Sequence, residues 1–95
     1  MNKKYELDFT NTFSKDLKRA KKRGYNIKLL SAVVDKLQNG EPLPEKNRDH
    51  ALTGNWIGYR ECHIQPDWLL IYRIYEDKLL LVLNRTGTHS DLNLY

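Results

Sequence analysis

Three segments in the second half of the chain, 57–64, 67–75 and 78–85, are dense in Ile, Leu, Val, Tyr and Trp, and only two residues separate each from the next. Such side chains pack well on a pleated surface, and a two-residue connection can join only antiparallel neighbours. The spacing therefore predicts a three-stranded meander turning at Gln65-Pro66 and Glu76-Asp77. The run Leu79-Leu80-Leu81-Val82-Leu83 is apolar on both faces, which predicts that the last strand is central and covered on both sides.

The first half has a different period. Tyr5-Glu6-Leu7-Asp8-Phe9 alternates and predicts a short strand. Thr10-Asn11-Thr12 offers helix-capping oxygens, and Phe9, Phe13, Leu17 and Ala20 then form one apolar stripe, predicting a helix over 11–23 that stops at Gly24. Ile27, Leu30, Val33, Val34 and Leu37 predict a second helix starting near Asn26, ended by Asn39-Gly40 with Pro42 and Pro44 beyond. So short a connection makes the two helices an antiparallel hairpin. Residues 41–55 are expected to form an extended loop. The order β-α-α-β-β-β predicts an α+β fold of two layers, a helical hairpin packed on a mostly antiparallel sheet. At 95 residues it is expected to be one domain, 1–95, with a single modest core. One helix pair leaves the other sheet face partly open.

No apolar run approaches the roughly 20 residues that span a bilayer, and no apolar segment follows the N-terminus as in a secretory signal. A single cysteine, Cys62, excludes an internal disulfide and fits a reduced, cytoplasmic setting. Sixteen basic residues against twelve acidic give +4. The excess lies on the first helix, where Lys15, Lys18, Arg19, Lys22 and Arg23 oppose the apolar stripe and could meet a polyanion.

The reactive side chains converge if both turns are as predicted. His63, Trp68 and Arg85 then form a row across three strands, Asp67 sits at the adjacent turn, and His50 and His89 reach the same end from flanking segments. Cys62 would point to the opposite face from His63, which argues against a Cys–His nucleophile. The histidine spacing matches no helical metal motif, and there is no Gly-rich phosphate loop or nucleophile elbow. Histidine, arginine and an aromatic ring suit RNA cleavage. A 2′-hydroxyl must lose a proton, the leaving 5′-oxygen must gain one, and the phosphate and base must be held; no metal or cofactor is needed.

The residues Asp49-His50-Ala51-Leu52-Thr53-Gly54-Asn55-Trp56, then Gly58-Tyr59-Arg60-Glu61-Cys62-His63-Ile64-Gln65-Pro66-Asp67-Trp68-Leu69-Leu70-Ile71-Tyr72, then Arg85-Thr86-Gly87-Thr88-His89-Ser90-Asp91-Leu92 go further. Together with Phe13-Ser14-Lys15-Asp16-Leu17-Lys18 they resemble the YafQ branch of the RelE/ParE toxin superfamily over nearly the whole chain. The resemblance implies a RelE-like fold and a ribosome-dependent endoribonuclease that cuts mRNA in the A site and so inhibits translation. It also implies a DinJ-like ribbon-helix-helix antitoxin, through which alone operator DNA would be contacted. The family's catalytic and substrate positions fall on His50, His63, Asp67, Trp68 and His89, and Arg85 matches the Arg of its RTGTH segment. We expect His50 to act as base and His89 as acid, with Asp67 the alternative acid if burial raises its pKa. The basic helix face, Lys15, Lys18, Arg19, Lys22 and Arg23, is expected to contact ribosomal RNA. A C-terminal aromatic of the family is replaced by Asn93, and Tyr95 is expected to take over its substrate contact. The alternatives are a ParE-like, gyrase-targeting toxin without nuclease chemistry and a catalytically degenerate antitoxin-binding module.

Overall fold

The computed structural model describes residues 3–92. β1 (Glu6–Phe9) leads into α1 (Asn11–Lys22) and α2 (Ile27–Gln38). The meander follows as β3 (Arg60–Gln65), β4 (Trp68–Tyr75) and β5 (Leu80–Gly87). The expected loop between them is not featureless, because it holds a short strand, β2 (His50–Ala51), between two single 3-10 turns. A one-turn helix, α3 (His89–Leu92), ends the described chain. The sheet order is β1-β5-β4-β3-β2, antiparallel throughout except that β1 runs parallel to β5.

The helices start and stop for the reasons visible in the sequence. Thr10 caps α1, its hydroxyl accepting from the Phe13 amide at 3.0 Å, and Asn26 caps α2 by accepting from the Lys28 amide at 3.1 Å. Gly24 takes φ +79, the left-handed conformation that ends a helix without a Cβ penalty. Phe13, Ala20, Leu30, Val34 and Leu37 then pack on Cys62, Trp68, Leu70, Tyr72, Leu81 and Leu83. Burial pushes the Cys62 thiol's pKa well up, which makes it an inert core group.

Three sequence expectations are corrected. Phe9 is more than half exposed on the edge strand and is not part of the core stripe. The strand covered on both faces is β4, whose residues Trp68 to Tyr72 are all buried, whereas Leu79 is exposed and Leu80 and Val82 are half-buried. The second sheet face carries its own small core, in which Leu69 and Ile71 are covered by Leu52 and Leu92, with Trp56 and Tyr59 packed against them.

The register also differs, with consequences for the site. The β4–β5 connection spans Glu76–Leu79 because Leu79 adopts φ +50, so Tyr75 pairs with Leu80. An irregularity between His63 and Gln65 pairs His63 with Leu69 and Gln65 with Trp68. A second one in β5 leaves Asn84 unpaired and sets Arg85 opposite Ile71. A one-residue slip reverses the face a side chain occupies. The row His63-Trp68-Arg85 therefore does not form.

Candidate active site

Trp68 points to the helix side. It is 1% exposed, its ring lies 4.9 Å from that of Tyr25, and its Nε1 donates to Thr86 Oγ1 at 2.9 Å. It is a core residue and offers no face to a base. Arg85 is bound to Asp16 of α1, donating from Nε at 2.8 Å and from one Nη at 3.3 Å. Asp16 is itself buried and also accepts from Arg19 at 2.7 Å and from the Thr86 amide at 3.2 Å. Two of the residues expected to bind substrate are thus engaged in the fold. Tyr95, the third, lies outside the described residues, as does Asn93.

The histidines do gather. β2 brings His50 opposite Glu61 on β3. His63 lies two residues further along β3, on the same face as Glu61. His89 opens α3, and its ring lies 5.6 Å from that of His63. Each ring is held by the same device. His50 Nδ1 lies 2.7 Å from the Arg48 carbonyl oxygen, His63 Nδ1 3.2 Å from that of Pro66, and His89 Nδ1 2.6 Å from Asp67 Oδ1. Carbonyls only accept, so Nδ1 carries the hydrogen in His50 and His63. Asp67 also accepts from the His89 backbone amide at 2.9 Å, and these two bonds, the backbone one foremost, hold its carboxyl below the usual carboxylate range. It is therefore ionised, and His89 donates to it through Nδ1. In His50 and His63 the other ring nitrogen, Nε2, faces the Glu61 carboxyl. Asp67 is well exposed and its pKa is lowered, so the burial on which its part as alternative acid depended is absent.

Glu61 is the residue that the sequence reading did not single out. It is 1% exposed, and its Oε1 lies 3.6 Å from His50 Nε2 and 3.7 Å from His63 Nε2. A buried carboxyl group needs polar partners, and it lies between the two imidazoles. Strand parity with His63 was the available signal. The 3-10 turn before β2 is anchored by buried Asn47, whose Nδ2 donates to the His63 carbonyl at 2.7 Å.

His89 depends on a further clamp. Thr88 and Asp91 form a reciprocal cap, Asp91 Oδ2 accepting from the Thr88 amide and Thr88 Oγ1 from the Asp91 amide, each at 3.0 Å. Arg23 at the end of α1 donates to both Asp91 oxygens, at 2.5 and 3.1 Å. This ion pair, first among the causes, holds the Asp91 carboxyl far below its ordinary range. A depressed folded pKa adds stability that is present above the unfolded value near 4 and is lost only as pH falls toward the folded one. Arg23→Ala is expected to leave the fold intact while loosening α3, lowering any turnover that uses His89 by roughly tenfold or more at neutral pH. Single-turnover rates beside thermal melts check this.

A family model described as "Bacterial toxin of type II toxin-antitoxin system, YafQ" matches residues 5–94. The chain belongs to the YafQ toxin family. The mRNA interferase toxin YafQ of Escherichia coli K12 is 43% identical over 88 residues, covering 92% of this chain and 94% of that protein. The crystal structure of the E. coli DinJ–YafQ toxin–antitoxin complex superposes with a TM-score of 0.86 at 40% identity, covering 94% of this chain and 97% of that one. A metal-bound toxin from Helicobacter pylori superposes at 0.88 with 42% identity, covering 93% and 98%. Among the described residues of this YafQ family member, no three His, Cys, Asp or Glu side chains are grouped to hold a metal ion.

Proposed function

We propose that this protein is the toxin of a type II toxin–antitoxin pair and an endoribonuclease that cleaves mRNA in the ribosomal A site. Family membership and the E. coli relative's name support the nuclease class. The observation that carries the chemistry is the gathering of three histidines at one end of the sheet, each ring fixed through Nδ1. His50 Nε2 takes the proton of the 2′-hydroxyl as that oxygen attacks phosphorus. His89 Nε2–H protonates the 5′-oxygen as the P–O5′ bond breaks, leaving a 2′,3′-cyclic phosphate and a 5′-hydroxyl. His63, held beside Glu61, binds the non-bridging oxygens when protonated.

The single domain, 1–95, carries the cleavage chemistry and is silenced by a DinJ-like antitoxin. A groove of about 390 Å³ supports that partner: it lies between edge strand β1 and the two helices, is lined by Leu7, Phe9, Phe13, Leu17 and Leu30, and fits an amphipathic segment. The ribosomal target places the protein in the cytoplasm; no helix among the described residues is long and apolar enough to cross a membrane. The decisive experiment programs ribosomes with a defined message and maps new 5′ ends. Cleavage with 5′-hydroxyl ends, unchanged by a chelator selective for transition metals, is the expected result. Inhibition of gyrase without message cleavage would replace this reading with the ParE-like one.

Lys15, Lys18 and Lys22 are exposed on α1, whereas Arg19 and Arg23 are shared with Asp16 and Asp91. The three lysines are the part of the basic face free to meet ribosomal RNA. Reversing their charge is expected to weaken ribosome binding by at least tenfold and flatten its salt dependence by two to three logarithmic units per decade, with the cleavage sites unchanged. Toxin–ribosome affinity across a salt series measures it, and an unaltered salt slope would assign this face to solvent.

A further inference from the structure

Aromatic rings and cations form a ladder on the sheet face that carries the histidines. Trp56 and Tyr59 meet edge to face with ring centres 5.2 Å apart. The Arg73 guanidinium lies 5.2 Å from the centre of the Tyr59 ring and 4.9 Å from that of Tyr75, and Lys78 Nζ lies 5.7 Å from the same Tyr75 ring centre. Gly58 makes room for it: at φ +93, a Cβ there would come within 3.2 Å of Arg73 Cζ.

This ladder continues the candidate active site. Alternation along β4 puts Arg73 and Tyr75 on the face of Leu69 and Ile71, and Ile71 pairs directly with Glu61. From Ile71, Arg73 is two residues on and Tyr75 four, about 7 and 13 Å. That is the reach of nucleotides next to the bond being cut. Charge points the same way. Neither Arg73 nor Lys78 is ion-paired with a carboxylate among the described residues. The nearby acid, Glu76, is instead drawn to Tyr5, whose hydroxyl donates to it at 2.6 Å. Ring contacts satisfy none of a guanidinium's five N–H donors, so Arg73 keeps them for phosphate oxygens. Half-buried rings alternating with unneutralised cations are the composition of a single-strand nucleic-acid platform.

We propose that Tyr59, Arg73, Tyr75 and Lys78 bind the message strand beside the cleaved bond, the rings stacking on bases and the cations meeting phosphates. This deepens the nuclease reading and rests on it for the identity of the strand. The test uses the full-length toxin, ribosomes carrying a message whose attacking hydroxyl is blocked by 2′-O-methylation, and the same message unblocked. Arg73→Gln and Tyr75→Leu are each expected to weaken binding to the blocked complex about tenfold. Arg73→Gln should also lower the salt slope by about one. Tyr59→Leu touches the smaller core, so its melting curve is read beside its affinity. Normal affinity in a folded, cleaving Arg73→Gln variant would overturn the ladder and leave the nuclease standing. Lost affinity for the antitoxin alone would overturn it in favour of a protein-docking surface. Weakened binding to blocked message, with no cleavage of the unblocked one even by the parent, would retain the ladder and remove the nuclease.

Discussion

His89→Ala is expected to lower the single-turnover cleavage rate on programmed ribosomes by about 10²–10⁴-fold with its melting temperature little changed, and His50→Ala to lower the rate by a similar factor. Both rings are close to half exposed, so truncating them leaves no cavity in the core. Both rings are fixed through Nδ1, His50 by the Arg48 carbonyl and His89 by Asp67. Asp67→Asn separates orientation from chemistry. The amide keeps the shape of the carboxylate but carries no charge, so it no longer stabilises the imidazolium that His89 must be to donate from Nε2. A smaller loss, about tenfold to a hundredfold, is expected. Because its pKa is lowered by the His89 amide and ring, Asp67 stays ionised above about pH 4 and contributes no limb to the pH–rate profile at higher pH. If both histidine variants keep rates within tenfold of the parent, the acid–base assignment falls. If Asp67→Asn removes an alkaline limb, Asp67 is the acid after all.

The helices were legible because each signal is local. Thr10 and Asn26 cap, Gly24 stops α1, and the apolar spacing of α2 predicts its buried face residue by residue. The meander was legible too, since dense apolar segments with two-residue gaps leave few other pairings. Register was not, because it depends on what happens at single residues. Leu79 in the left-handed region lengthens one turn, and irregularities beside His63 and at Asn84 shift the pairing. Those shifts moved Trp68 into the core and separated Arg85 from the histidines, although the histidines themselves converged. Glu61 was readable from parity with His63, yet a lone acid in a strand gives no sign that it will be buried. Asp16 was hidden for the same reason: on a helix face crowded with lysine and arginine it reads as a solvated charge.

Asp16 and Arg85 carry the largest expected effect on stability. Arg85→Met should destabilise the fold by about 2–4 kcal/mol, since it takes the two-point partner from a carboxylate only 4% exposed and leaves Arg19 and the Thr86 amide to compensate. For a domain of this size that is a fall in Tm on the order of 10–20 °C. Asp16→Leu should cost less. The side chains of Arg19 and Arg85 are 40% and 26% exposed, so both guanidinium groups can swing to water while their stems stay packed. The double variant should recover much of the Arg85→Met loss, because a buried ion pair replaced on both sides by apolar groups is far cheaper than one left half made. Denaturant melts of the four proteins give the coupling directly. Arg85 was expected from the sequence to bind substrate, and the same set of proteins separates the two roles. A Tm unchanged in Arg85→Met alongside lost cleavage would make Arg85 a substrate contact. A lowered Tm, with cleavage recovering as the double variant restores stability, would make it the bolt that fixes β5, and with it the start of α3, to the first helix.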